Sequence, residues 1–179
     1  ETFPMLPPRL STDLTSLREG EDRAAIVIEF AVLKNGEVRR GKIYRALVCN
    51  KAKLVYEEVG AWLEGKGPAP EAFARIPGLE AQVRMQDEAA ERLRDFRMDK
   101  GALELESLEA RTVMKDETVA ALVLPSEDRA HHIIENFMIA ANGTVMEFLG
   151  KAGIPVIQRI VRIPKNWLGI VEVAAELGT

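Results

Sequence analysis

Cysteine is nearly absent: Cys49 is the only one in 179 residues. No internal disulfide can form, which suits a reducing compartment, and Cys49 reads as a buried structural thiol rather than a nucleophile. Long hydrophobic runs are also missing. Stretches such as "TVAALVL" are far too short to span a bilayer, and no basic-then-apolar leader opens the chain. Neither a membrane nor secretion is therefore expected, and the chain reads as cytoplasmic. Several catalytic signatures are lacking too. There is no G-x-x-x-x-G-K-S/T, G-x-G-x-x-G or G-x-S-x-G, and no cysteine pair. His131 and His132 are adjacent, so they point to different helix faces and cannot ligate one metal as an i, i+4 pair would. No tight group of aspartates is present to hold two magnesium ions.

What is there is a soluble, globular composition, 47% hydrophobic with a net charge of −4. One domain with a real core fits this length. The charge is segregated. Six basic residues (Arg39, Arg40, Lys42, Arg45, Lys51 and Lys53) lie between Val38 and Tyr56 without an acidic one, whereas Glu80 to Glu109 is rich in Glu and Asp. Such a basic run is ordinarily a solvated strand face. It can also form a local anion site, because local potential steers a ligand more than net charge does.

Hydrophobic periodicity gives the order β-β-α-α-β-β-α-β-α. "DRAAIVIEFAVLKNGEVRRGKIYRALVC" reads as a hairpin turning at Asn35-Gly36. Its first strand is apolar on both faces and is expected to be central in a sheet. A short helix follows at "AKLVYEEVGAWLEG", then a loop or a loose helical turn over 64–78, and a charged helix from about Leu79 to Met98. A second hairpin turns at Lys115-Asp116-Glu117. The clearest helix runs from about Glu127 to Lys151, "GIPVIQRIVRI" reads as a last short strand, and another helix begins near Asn166. The fold class is α+β, an antiparallel or mixed sheet built from hairpins with helices packed around it.

On the 127–151 helix, Ile134, Phe137, Met138, Ala141, Val145 and Phe148 are expected to form the buried face. His131, Glu135 and Asn142 then stack along its edge. An imidazole, a carboxylate and an amide in a row beside a core are costly unless satisfied. Either they form a polar rail facing a ligand, or Glu135 pairs with a nearby Arg or Lys while Asn142 caps a backbone group.

Several segments, taken together, resemble the catalytic domain of ribonuclease II and ribonuclease R type exoribonucleases, the RNB domain. "PMLPPRLSTDLTSLREGEDRAA" resembles its P-M-L-P-x-x-L-S-x-D-L-x-S-L loop, and "KAKLVYEEV" its [KR]-[AH]-[KR]-L-[VT]-Y segment. "KGALELES" is similar to its R-G-A-L-x-[FL] stretch, and "HHIIENFMIAANGTVMEFL" to its H-R-x-I-E-E-x-M-x-A-A-N helix. The resemblance implies a magnesium-dependent exoribonuclease that removes nucleoside 5′-monophosphates from the 3′ end of single-stranded RNA. It implies that residues 1–179 are the central portion of one such domain, incomplete at both ends and inactive alone. The metal ligands are then expected outside this segment. The remaining parts of the catalytic domain and accessory RNA-binding domains are expected as partners.

Residue by residue, the resemblance makes Tyr56 the tyrosine against the 3′-terminal nucleotide and Glu135 the carboxylate on its ribose. These two are the catalytic candidates. Lys51 and Lys53 are candidates for phosphates of the incoming strand, with Asn142 and His131 as further RNA contacts. Leu105 stands where many members place a base-clamping phenylalanine, and it has no π-face. Asn136 replaces the second Glu of I-E-E, and Val161 stands where a histidine is frequent. These departures keep a second reading open, a catalytically inert RNB-like RNA-binding or scaffold protein. The upstream aspartates discriminate between the two.

Overall fold

The computed structural model describes residues 5–102, 111–115, 118–123, 128–158 and 166–178. Two contact units divide the chain, Glu1–Phe148 and Leu149–Thr179.

The first unit opens on a proline-anchored loop that closes into a π-helical turn, Leu10–Leu14. The loop is held from within. Ser11 Oγ donates to Leu6 O at 2.8 Å and Thr12 Oγ1 to Pro8 O at 2.9 Å. Arg23 reaches back to Asp13 Oδ1 at 3.1 Å and to Ser16 O at 3.2 Å. Strands β1 (Asp22–Val32) and β2 (Val38–Cys49) then form the expected antiparallel hairpin. At its turn Gly36 has φ 81°, and a Cβ there would fall 2.0 Å from Arg92 O. Only glycine meets both demands, so the turn tip is pressed against the long helix that follows.

The expectation that β1 is a central strand is corrected. Among the described residues β1 pairs with β2 alone, in a two-stranded sheet. The register shifts between Ile28 and Phe30, and Ile26 is left 61% exposed. The shift breaks the period-two pattern and sends Phe30 toward a helix, where its ring lies 6.0 Å from that of Phe137.

Helix α1 spans Tyr56–Leu63, α2 Glu71–Arg75 and α3 Leu79–Asp99. α2 falls within 64–78, expected as a loop or a loose helical turn, and is the helical of the two. Val59, Trp62, Phe73, Val83 and Ala130 form a buried cluster, in which Trp62 meets Phe73 edge-on at 4.8 Å and carries the Arg84 guanidinium 4.1 Å above its ring. α3 stops at Gly101 (φ 86°), where Gly101 and Ala102 donate to Met98 O and Arg97 O. That pair of bonds is the Schellman arrangement for closing a helix. Strands β3 (Arg111–Lys115) and β4 (Thr118–Val123) form the second hairpin, and α4 runs Arg129–Lys151.

The buried face of α4 is not the one periodicity picks. Ala130, Ile133, Asn136 and Thr144 are buried, while Ile134, Met138 and Phe148 are 45%, 58% and 50% exposed. The cause lies in polar ties to α3. Arg129 grips buried Asp87 through Nε–Oδ1 (3.2 Å) and Nη2–Oδ2 (2.5 Å), and reaches Glu91 at 2.6 Å. Asn136 accepts from Arg97 Nη2 at 2.7 Å and donates to His132 O at 2.8 Å. Burying polar groups requires such partners, and these fix the rotation of the helix.

In the second unit, Ile154 N–H donates to Leu149 O at 2.9 Å, and α5 covers Trp167–Glu176 behind an Asn166 cap. Residues 152–158 are not a strand. The rest of the expected strand, with Val161, lies outside the described residues.

Candidate RNA-binding site

The site begins at the end of β2. Asn50 O accepts from Gly20 N–H at 2.8 Å, while its side chain donates to Leu17 O at 2.9 Å and accepts from Ala52 N–H at 3.2 Å. Glu19 accepts the Lys53 N–H at 2.9 Å and the Arg75 guanidinium at 2.7 Å. The Lys53 amide and then Arg75 hold the Glu19 carboxyl below its ordinary value. The segment carrying Lys51 and Lys53 is thus stapled to the end of the proline loop. Both lysines are exposed. Lys51 Nζ lies 3.4 Å from the half-buried thiol of Cys49.

Tyr56 opens α1 just beyond this segment. Tyr56 and Gly60 of α1 and Glu64, its C-cap, stand at spacing four on one face, and that face meets the start of α4. The Tyr56 ring stacks on His131, with centroids 4.2 Å apart and planes inclined by 15°. A Cβ on Gly60 would stand 2.4 Å from Asp128 Cγ, so the backbone approaches Asp128 as only glycine permits. The Glu64 carboxyl is held below its ordinary value first by Lys66 and in smaller part by the backbone N–H of Arg129. Asp128 caps α4: its Oδ1 accepts His131 N–H at 3.0 Å and lies 2.9 Å from His131 Nδ1.

With the corrected rotation, His131, Glu135 and Asn142 do share one line along α4, but it is the solvent face. Taking Ile133 as zero, they sit at about 160°, 200° and 180° in an ideal helix. All three are exposed. Glu135 pairs with neither an Arg nor a Lys among the described residues; its Oε2 lies 3.6 Å from His132 Nδ1. The structure therefore brings Tyr56 and His131 into contact, with Glu135 one turn further along the same exposed face. Leu105 lies outside the described residues.

Sequence reasoning missed Glu19, Gly60, Asp128 and the buried role of Asn136. The Tyr56–Gly60–Glu64 spacing and an Asp three residues before His131 were signals for two of them. A concavity of about 630 Å³ is lined by Glu29, Gly41, Lys42, Ile43, Tyr44 and Phe148. None of the expected site residues lines it. Its Tyr44 hydroxyl donates to Glu29 at 2.8 Å, which holds the phenol above its ordinary value. The described residues bring no three His, Cys, Asp or Glu side chains together as a metal set, so they do not fit a magnesium pair. No helix among them is long and apolar enough to cross a membrane.

The RNB domain family matches residues 1–172. The chain belongs to the RNB domain family. Among relatives of this RNB chain, Ribonuclease R of Thermotoga maritima is 33% identical over 164 residues, 90% of the chain and 22% of that protein. Exoribonuclease 2 of Cronobacter sakazakii is 35% identical over 145 residues, 78% of the chain and again 22% of the relative. The chain thus spans under a quarter of the length of these relatives. The structure of Mycoplasma genitalium RNase R in complex with ribose-methylated single-stranded RNA superposes with a TM-score of 0.82 at 26% identity, covering 98% of this chain and 27% of that one. The α+β reading of the fold agrees with that likeness.

Proposed function

We propose that this RNB chain is the central portion of the catalytic domain of a cytoplasmic 3′→5′ exoribonuclease, and that it receives the 3′-terminal nucleotide of single-stranded RNA. The observation that carries the reading is the Tyr56–His131 stack, 4.2 Å between centroids, with Glu135 exposed one turn beyond. The chain's residues bind and orient. Tyr56 offers a ring face or its hydroxyl to the terminal nucleotide. Glu135 accepts from a 2′-hydroxyl, the group that separates RNA from DNA. Lys51 and Lys53 meet phosphates, which set register without reading sequence, and Asn142 extends the polar line along α4. Hydrolysis to nucleoside 5′-monophosphates would use magnesium held by ligands elsewhere in the intact protein, alongside accessory RNA-binding domains. By itself the segment is inactive on this reading.

Glu135→Ala in the intact protein tests it. A hydrogen bond to a charged acceptor is worth about 1.5–3 kcal/mol, so the RNA-over-DNA preference in a competition assay is expected to fall roughly tenfold to a hundredfold. Unchanged discrimination removes Glu135 from the site. Wild-type protein that binds RNA but releases no mononucleotide with magnesium supports the inert binding reading instead.

A further inference from the structure

Asp128 does more than cap a helix. Its Oδ1 accepts the backbone N–H of His131 and lies 2.9 Å from that residue's Nδ1. An ionised carboxylate only accepts, so the proton of the second contact sits on Nδ1. In the neutral ring this leaves Nε2 with a free lone pair, and among the described residues nothing bonds it. The ring cannot swing freely, because Tyr56 lies flat against it. Asp128 cannot retreat freely either, because the α1 backbone at Gly60 closes on it. A hydrogen-bond acceptor is thereby fixed beside the tyrosine and one turn before Glu135.

We infer that Asp128 and His131 form a dyad that recognises the 3′-hydroxyl of the terminal ribose, with Asp128 as the positioning residue and His131 Nε2 as the acceptor. The inference rests on the reading that Tyr56 and Glu135 receive the strand's end. If Glu135 takes the 2′-hydroxyl, the acceptor on the preceding turn takes its neighbour. The hydroxyl is read as a donor, so an end that only accepts is discriminated against.

The test uses the intact protein with magnesium and three oligoribonucleotides, ending in an ordinary ribose, a 3′-deoxyribose and a 3′-fluoro-3′-deoxyribose. The readout is the ratio of rates for removing the first nucleotide. The wild type should favour the ordinary end about tenfold over both others, the worth of one hydrogen bond. His131→Phe keeps a ring for Tyr56 and removes the acceptor, so the ratio should collapse toward one. Asp128→Ala should collapse it as well. Asp128→Asn, whose side-chain oxygen still accepts from Nδ1, should keep most of it. A general structural defect lowers all three rates and leaves their ratio alone, so the Asp128 pair decides the matter even if His131→Phe folds poorly. A preserved ratio in Asp128→Ala or His131→Phe, or a 3′-fluoro end as good as the hydroxyl, overturns the dyad while the nuclease reading stands. If no end is trimmed at all, the nuclease reading fails and the dyad falls with it.

Discussion

Gly60→Ala probes the tightest point of the assembly. The new methyl would stand 2.4 Å from Asp128 Cγ and 2.6 Å from Oδ2. Carbon contacts settle at about 3.5–4.0 Å, so more than about one ångström must be found. Asp128 yields poorly, since its other oxygen holds both the backbone and the ring of His131. α1 must withdraw, and Tyr56, one turn away on the same face, withdraws with it. For stability two effects oppose each other. Alanine is favoured over glycine in a helix interior by about 1 kcal/mol, while overpacking costs about 1–3 kcal/mol. The net expectation is a loss of zero to about 2 kcal/mol. Activity has no such offset, because a misplacement of about 1 Å at a reacting centre can cost about a hundredfold. Urea unfolding measures the first quantity, and single-turnover release of the terminal nucleotide from a labelled oligoribonucleotide the second. A Gly60→Ala protein about 1 kcal/mol more stable than wild type, with turnover intact, would show that helix propensity alone acts at this position and that the α1–α4 contact is not what seats Tyr56.

Two further expectations concern the segment before Tyr56. Each phosphate neutralised on a single strand adds about 0.7 to the slope of log affinity against log salt, so the Lys51→Ala, Lys53→Ala double variant should flatten that slope by about 1.4; equal slopes in a binding titration would take both lysines off the strand. Glu19 has its carboxyl held below the ordinary 4.5 by the Lys53 amide and then by Arg75, so its contribution is fully present above that value and is lost as pH falls through the lowered one. Amide protection over 51–55, taken relative to intrinsic exchange at each pH, should therefore fall on acidification below the ordinary carboxylate range in wild type and lose that step in Glu19→Gln, whereas identical pH profiles would detach Glu19 from the segment.

Local signals located the elements and longer-range ties did not. Asn35-Gly36 and Gly101 marked their turns because backbone geometry there is set by a few adjacent residues, while Asp116 and Glu117 of the third expected turn lie outside the described residues. The rotation of α4 was misjudged because hydrophobicity ranks Ile134, Met138 and Phe148 above Asn136, yet Asn136 is the residue turned inward. Its place is decided by Arg97, 39 positions away, and Arg129 is drawn to Asp87, 42 positions away. No periodicity in one helix records a partner in another. The same limit hid the shift in β1, whose Phe30 leaves the strand's alternation to meet Phe137 on α4. The candidate site residues were chosen on different grounds. Tyr56 and Glu135 were picked out by the motifs around them and His131 by its place beside Glu135 on the helix edge. The spacing of about 100° per residue that lines up His131 and Glu135 does not depend on which face is buried, so the corrected rotation changes only the side of the helix on which they stand.

That distinction explains how the parts of the site depend on one another. Lys51 and Lys53 lie on a short run that leads into Tyr56 at the start of α1 and has no sheet partner among the described residues, and its position is set by Glu19 and Asn50 at the foot of the proline loop. His131 and Glu135 lie on α4, whose rotation is set by Arg97 and Asp87 of α3. The two halves meet along the Tyr56–Gly60–Glu64 face, where a stack, a close backbone approach and a carboxylate on a helix N-terminus succeed one another turn by turn. Each contact is small in energy, and together they fix a ring, a cap and a helix end in one line. The proline-constrained loop thus has a physical role: through Glu19, which accepts the Lys53 N–H, it sets how far along the strand's path the lysines and Tyr56 are carried toward α4.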